Sequence, residues 1–180
     1  MAMSRGALSP TSYVVLGLLA SAGEATPYEL ERLVDISVGH FWSFPHSQLY
    51  SEPPRLVGRG LLEEQREQTG RRRRVFRLTE AGREALQGWL AEAVGSTTEI
   101  RDLGLLKLFF GSSAAAAGDV RASAAAQVAA HEERLATFRD LAGHDMDRHV
   151  QATLRLGIAY EEAAVAFWRS VEDLNPEKQL

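Results

Sequence analysis

The sequence predicts a mainly α-helical chain whose N-terminal half also holds one β-hairpin. Three observations carry that expectation. Three short helix signatures, each with a cap or a proline near its start and a glycine near its end, stand before residue 61. The hydrophobic period then changes from helical to alternating over "LLEEQRE" and "RRVFRL". From residue 96 onward the pattern is helical again and rich in alanine, the best helix former.

The first helix is read from "LSPTSYVVLGLLASAG", with Ser9 as cap, Pro10 at the first helical position and Gly23 at the end. Val14, Val15, Leu16, Leu18 and Leu19 make it apolar nearly all round, as in a core helix. "TPYELERLV" repeats the grammar: Thr26 and Glu29 form a capping box around Pro27, and Leu30, Leu33 and Val34 line one face. The third, "PHSQLYSEPPRLVG", has helical spacing at Leu49, Leu56 and Val57 but carries Pro53 and Pro54 at its centre. Each proline deletes a backbone donor and crowds the preceding turn, at roughly 3 kcal/mol in a helix interior. The expectation is a bend after Tyr50, with the helix resuming at Arg55. The aromatics of "FWSF", between the second and third helices, are expected to plug the core beside the third.

The hairpin follows, with its turn near Gln68, Thr69 and Gly70, Phe76 and Leu78 facing the core, and Val75 and Arg77 facing out. Thr79 caps the next helix, "EAGREALQGWLAEAV". Three helices and a hairpin in this order are the grammar of a winged helix-turn-helix, in which the third helix enters the major groove. "IRDLGLLKLFFG" is then a short apolar piece, Asp119 caps a helix after Gly118, and Ala114–Ala117 reads as a helix start. The last helix, from "DMDRHV" on, carries two apolar stripes: Leu154, Ile158, Val165 and Trp168, and Leu156, Tyr160, Phe167 and Val171. A surface helix needs one such face, so the second is expected to meet a second copy of the chain.

Composition narrows the function classes. A 180-residue chain with 45% hydrophobic and 24% charged residues suits one generous domain or two small ones. No run of 18 apolar residues and no signal-peptide pattern is present, so no membrane partner and a cytoplasmic location are expected. With no cysteine there is no disulfide, thiolate zinc site or cysteine nucleophile. The histidines of "HDMDRH", His144 and His149, are five apart rather than three or four, so no metal is expected. His40, His46 and His131 read as surface or packing histidines, and the pairs Glu132–Glu133 and Glu161–Glu162 as solvated faces. No phosphate loop, nucleophile elbow or acid–base pair appears, so neither an enzyme nor a cofactor is expected. Residues 1–95 carry 11 Arg and 11 acids; residues 96–180 carry 9 Lys+Arg and 13 acids, the whole of the net −4. Within the balanced part, "RRRRVFR" packs five arginines into Arg71–Arg77, a local footprint for an anionic partner.

"YVVLGLLASAGEATPYEL", "FWSFPHSQLYSEPPRLVGRGLL" and "RRRVFRLTEAGREAL" resemble the N-terminal winged helix of PadR-type transcriptional regulators, and "IRDLGLLKLFFG" and "TLRLGIAYEEAAVAFW" resemble the C-terminal dimerisation helices of the same family. The resemblance runs from about Leu8 to Leu174. It implies a winged-helix DNA-binding domain over 1–95 and a helical dimerisation domain over 96–180. A homodimer reading a palindromic operator, a repressor released by a small molecule, is what the family implies. By position, Ser47, Gln48 and Tyr50 face DNA, and Arg71, Arg72, Arg73 and Arg74 form the wing tip. The residue chemistry agrees: Gln48 suits bidentate pairing with adenine, Ser47 and Tyr50 suit phosphates, and the arginines suit the backbone or a narrow minor groove. An effector pocket is expected at the dimer interface, around Phe109, Tyr160, Phe167 and Trp168. The alternative is a protein-interaction module that keeps the winged helix without reading DNA, marked by an exposed apolar patch.

Overall fold

The chain is described by a computed structural model over residues 7–66, 73–111 and 120–172. It divides into two compact units, Met1–Ser96 and Thr97–Leu180.

In the first unit, helix α1 (Pro10–Ala22) begins as its sequence dictates. Ser9 accepts from the Ser12 amide while the Ser12 hydroxyl accepts from the Ser9 amide, and Gly23 ends the helix at φ +79°. Strand β1 (Glu24–Ala25) follows, then helix α2 (Pro27–Asp35) with the Thr26–Glu29 box formed. A 3₁₀ turn at Val38–His40 leads to helix α3 (Gln48–Gly58). Strands β2 (Leu62–Arg66) and β3 (Arg74–Leu78) form the wing; Glu64 pairs with Phe76 and Leu62 with Leu78. Helix α4 (Glu80–Ala91) closes the unit, with Thr79 accepting from the Gly82 amide. The sheet is antiparallel in the order β1-β3-β2. Strand β1 escaped the sequence reading because two residues carry no alternation to detect. The expected hairpin turn, Gln68 to Gly70, and the Ala114–Asp119 stretch lie outside the described residues.

Val15, Leu16, Leu19, Leu30, Val34, Leu49, Leu56 and Phe76 form one core, with Phe44 packed against it. The "FWSF" expectation is corrected in part: only Phe44 plugs the core, while Phe41 and Trp42 remain 62% and 45% exposed. The connection turns outward after the 3₁₀ turn, and α2 and α3 already close the core with Val34 and Leu49.

Helix α3 continues through both prolines instead of stopping after Tyr50 and resuming at Arg55. Its first turn is tightened by i→i+3 bonds, from the amides of Gln48, Leu49 and Tyr50 to the carbonyls of Pro45, His46 and Ser47. The Pro53 ring is itself fully buried, so its apolar surface offsets part of the lost backbone bond. Side chains of α1 also brace the helix from outside.

In the second unit, helix α5 (Leu103–Phe109) is capped by Asp102, which accepts from Gly104 at 2.6 Å and Leu105 at 3.2 Å. Helices α6 (Val120–Ala142) and α7 (Arg148–Glu172) pair as an antiparallel hairpin. Ala124 packs near Trp168, His131 meets Glu161, and Phe138 meets Gly157. A methyl group on Gly157 would sit 2.9 Å from the Phe138 ring, so glycine there permits the close approach. Val165, Trp168 and Val171 are buried in this unit, whereas Leu156, Tyr160 and Phe167 are exposed. Val171 thus belongs to the inner stripe, not to the outer one where its spacing had placed it.

Glu161 is not on a solvated face: it is 2% exposed, 2.5 Å from His131 Nδ1 and 3.1 Å from Arg134 Nε. His131 is accordingly its partner across the hairpin. Buried charge persists only where paired, and α6 presents the two partners one turn apart.

Candidate nucleic-acid interface

Helix α3 is held by α1 on one side and α2 on the other. Leu49 and Leu56, one heptad apart, anchor it in the core. From the first turn of α1, Thr11 Oγ1 donates to Gln48 Oε1 at 2.7 Å, and Ser12 Oγ donates to Glu52 Oε1 at 2.5 Å. Arg55 completes the second set, donating to Glu52 through Nε at 2.8 Å and through Nη2 to Ser12 Oγ at 2.8 Å. Burial pushes the Glu52 carboxyl up, but the bonds from Arg55 and Ser12 outweigh it and leave it below its ordinary value. Two rungs from α1, at Gln48 and Glu52, therefore bracket the turn that precedes the prolines.

On the other side, Glu31 of α2 sits 3.0 Å from His46 Nδ1 and accepts from the Tyr50 hydroxyl at 2.8 Å. These bonds hold the Glu31 carboxyl below the usual carboxylate range and raise both the His46 imidazole and the Tyr50 phenol. The solvent side of α3 then presents Ser47, exposed and free of a side-chain capping bond, and Tyr50, 48% exposed, with Gln48 half-buried beside them.

The wing arginines divide. Arg71 and Arg72 lie outside the described residues, and Arg73 is exposed. Arg74 is committed to Glu64, donating through Nε at 2.7 Å and Nη2 at 3.2 Å, and its guanidinium lies 5.4 Å from the Phe76 ring centroid. Arg66 binds Glu64 as well, at 2.6 Å, and Arg77 pairs with Glu24. The two guanidinium groups lower the Glu64 carboxyl to about 2. Because this value lies below that of the unfolded chain, Glu64 supports the fold above about pH 4.5, and the support is lost as pH falls from there through about 2. Glu64→Gln is expected to flatten the fall of the urea midpoint over that window; an unchanged acid profile would assign the effect to other carboxylates.

The aromatics expected around an effector divide too. Trp168 is buried against Ala124 and Val171, with Phe167 edge-on at 5.1 Å. Tyr160 faces His131 at 6.5 Å, and Phe109 is 78% exposed with Phe110 edge-on at 5.0 Å. A shallow cleft of about 150 Å³ lies elsewhere, lined by Val34, Asp35, Gly39, His40, Trp42 and His46 among others.

Sequence reasoning missed Thr11, Ser12, Glu31 and Glu52. The available signal was weak but physical. Two adjacent hydroxyls open an otherwise apolar helix, and Glu52 falls on the same face as Leu49 and Leu56, where a carboxylate needs partners.

Residues 15–88 match the family described as transcriptional regulator PadR-like, and residues 100–174 match the family described as virulence activator alpha C-term. The negative transcriptional regulator PadR of Bacillus subtilis is 30% identical over 100 residues, which are 54% of this chain and 54% of that protein. The chain thus spans about half the length of that relative. The fold is similar to the crystal structure of Bacillus subtilis PadR in complex with operator DNA, with TM-score 0.79 and 22% identity over 93% of this chain and 98% of that one. It is also similar to the same protein in complex with p-coumaric acid, with TM-score 0.73 and 22% identity over 94% and 100% of the two chains. No described helix is long and apolar enough to cross a membrane.

Proposed function

We propose that the chain, whose residues 15–88 match the transcriptional regulator PadR-like family, is a homodimeric, cytoplasmic repressor that reads a palindromic operator. In this reading residues 1–95 bind DNA and residues 96–180 dimerise. The start of α3 enters the major groove with Ser47, Gln48 and Tyr50, and the wing lies along the flanking backbone or minor groove with Arg71, Arg72 and Arg73. Arg74 shapes the wing through Glu64. The observation that carries the reading is the exposed first turn of α3, braced by α1 and α2 and sharing its unit with an arginine-bearing hairpin. The relative solved with operator DNA supports it.

A small molecule releasing the operator is part of the proposal, supported by the relative solved with p-coumaric acid. The exposed aromatics Phe109, Tyr160 and Phe167 are its candidate seat, completed by a second copy, and Trp168 supports them from within.

The test is fluorescence anisotropy across a salt series, with a duplex from immediately upstream of the gene against a shuffled one. Each phosphate contact contributes about 0.9 to the slope of log K against log salt. Arg73→Ala is expected to weaken binding and to lower that slope by about 1. Arg74→Ala is expected to keep the slope and lower the stability of the unit instead. A folded dimer that binds neither duplex at low salt would favour a second reading, a protein-interaction module. That reading draws on the exposure of Ile36, Phe41 and Trp42 in the connection between α2 and α3.

A further inference from the structure

His46 directly precedes Ser47, which opens α3, and its side chain is 53% exposed. The Leu49 amide donates to the His46 carbonyl at 2.9 Å, so His46 belongs to the tightened first turn that carries Ser47, Gln48 and Tyr50. Its Nδ1 lies 3.0 Å from Glu31 Oε1, while Glu31 Oε2 accepts from the Tyr50 hydroxyl at 2.8 Å. These bonds keep the Glu31 carboxyl ionised at neutral pH, so it has no proton to give and Nδ1 carries the hydrogen between them. The tautomer is thereby fixed. In the neutral ring Nε2 is a bare lone pair; in the imidazolium it is an N–H donor. Among the described residues nothing hydrogen-bonds to Nε2. Phosphate oxygens only accept, so the neutral ring would meet them lone pair to lone pair, whereas the imidazolium donates a charge-assisted bond. The surrounding charge acts in the same sense. Glu31 and Asp35 of α2 both bear on the ring, Tyr50 reaches it through Glu31, and His40 lines the same cleft. Beside a polyanion a neutral His46 leaves both carboxylates uncompensated, and the imidazolium cancels one of them.

We infer that His46 is a further DNA-contacting residue, a phosphate clamp that Glu31 orients and that closes only as the imidazolium, so each chain takes up a proton as it binds the operator. The bond from Glu31 raises the imidazole above its ordinary value, and a phosphate at Nε2 raises it further. The sign follows from linkage. Affinity is full where the free protein already holds the proton, and it falls as pH rises past that point. Operator occupancy thereby becomes sensitive to pH without any effector. Glu31 is the positioning residue of this contact: it sets the tautomer and the ring orientation from α2 and meets no phosphate itself.

The inference rests on the DNA-reading proposal, and one experiment separates their failures. Anisotropy with the upstream duplex and its shuffled control is read from about pH 6 to about pH 9 at fixed ionic strength, for wild type, His46→Gln and Glu31→Gln. Wild-type affinity for the upstream duplex is expected to fall by about tenfold per bound chain across that range. Its salt slope is expected to be steeper at the acid end by about 0.9 per chain, as one more phosphate contact requires. His46→Gln supplies a donor that does not titrate, and is expected to flatten both dependences. Glu31→Gln keeps the shape of the side chain without its charge, and is expected to move the midpoint of the fall to lower pH. A histidine that only supported the fold would change affinity alike at every pH and leave the salt slope independent of pH. Wild-type binding that does not vary with pH, or a fall that His46→Gln retains in full, would overturn the role of His46. An unmoved midpoint in Glu31→Gln would overturn the part given to Glu31. Equal binding of both duplexes by wild type at every pH would overturn the DNA-reading proposal and this inference with it.

Discussion

Replacing Gly82 by alanine is expected to remove about 3 kcal/mol of stability from the first unit, while the same change at Gly88, six residues further along α4, is expected to be neutral or stabilising. A Cβ at Gly82 would lie 2.1 Å from the carbonyl oxygen of Leu61 and 3.1 Å from both the Leu61 carbonyl carbon and Leu78 Cδ2. The obstacle is backbone, and it is pinned. Leu61 O accepts from the Thr79 amide at 3.1 Å, and Thr79 Oγ1 donates to the neighbouring Gly60 carbonyl at 2.8 Å. Gly60 itself turns the chain at φ +75°. No side-chain rotation relieves the contact, so α4 must move off the wing. That movement strains the Thr79 cap, worth about 1 kcal/mol, in addition to an overpacking cost of roughly 1–3 kcal/mol. At Gly88 an added Cβ meets nothing within 4 Å, and the gain in helix propensity is about 1 kcal/mol. Urea unfolding of the two variants checks this. Equal midpoints would mean that the glycine of the L-T-x-x-G segment does not serve this close approach.

The contrast also marks what the sequence could and could not disclose. Caps and hydrophobic period are local, so Ser9, Thr26 and Thr79 announced their helices and Phe76 and Leu78 announced the inner face of the wing. The partners of the polar residues are not local. Thr11 finds Gln48 37 positions away, and Glu161 finds His131 30 positions away. Nothing in the neighbourhood of Glu161 distinguishes such a bond from a solvated side chain, and for Thr11 the pair of hydroxyls opening an apolar helix is the one local hint. Arginine count misled for the same reason: at Arg71–Arg77 it measured basic charge, whereas Arg74 and Arg77 are neutralised by Glu64 and Glu24 on adjacent strands. The prolines of α3 were read from propensity, which is outweighed where tertiary bonds and burial of the ring hold the helix.

The second large effect concerns α7. The double substitution Leu156→Glu and Phe167→Glu is expected to convert the proposed dimer to a monomer and to weaken operator binding by about 100-fold or more. Leu156 is 73% exposed and Phe167 42%, and with Tyr160 they form an apolar face that the hairpin with α6 leaves uncovered. Helix α5 adds Leu103, Leu106 and Phe109, all exposed in the same unit. Apolar area of this extent on two helices of one unit fits burial between copies. Placing carboxylates there opposes association through desolvation and like-charge repulsion between copies, and it leaves Val165, Trp168 and Val171, which hold the hairpin together, unsubstituted at the cost of the Phe167–Trp168 edge contact. The α-helical circular dichroism is therefore expected to persist while sedimentation equilibrium reports the monomer. The loss of affinity follows from valency: two linked winged helices bind a two-fold site with a high effective concentration for the second half, and a monomer forfeits that factor, on the order of 10²–10⁴. On an isolated half-site, where only one winged helix engages, the variant and wild type are expected to bind alike. A variant that stays dimeric would place the interface elsewhere, and a monomer that keeps full affinity for the whole operator would show that one winged helix alone reads the site.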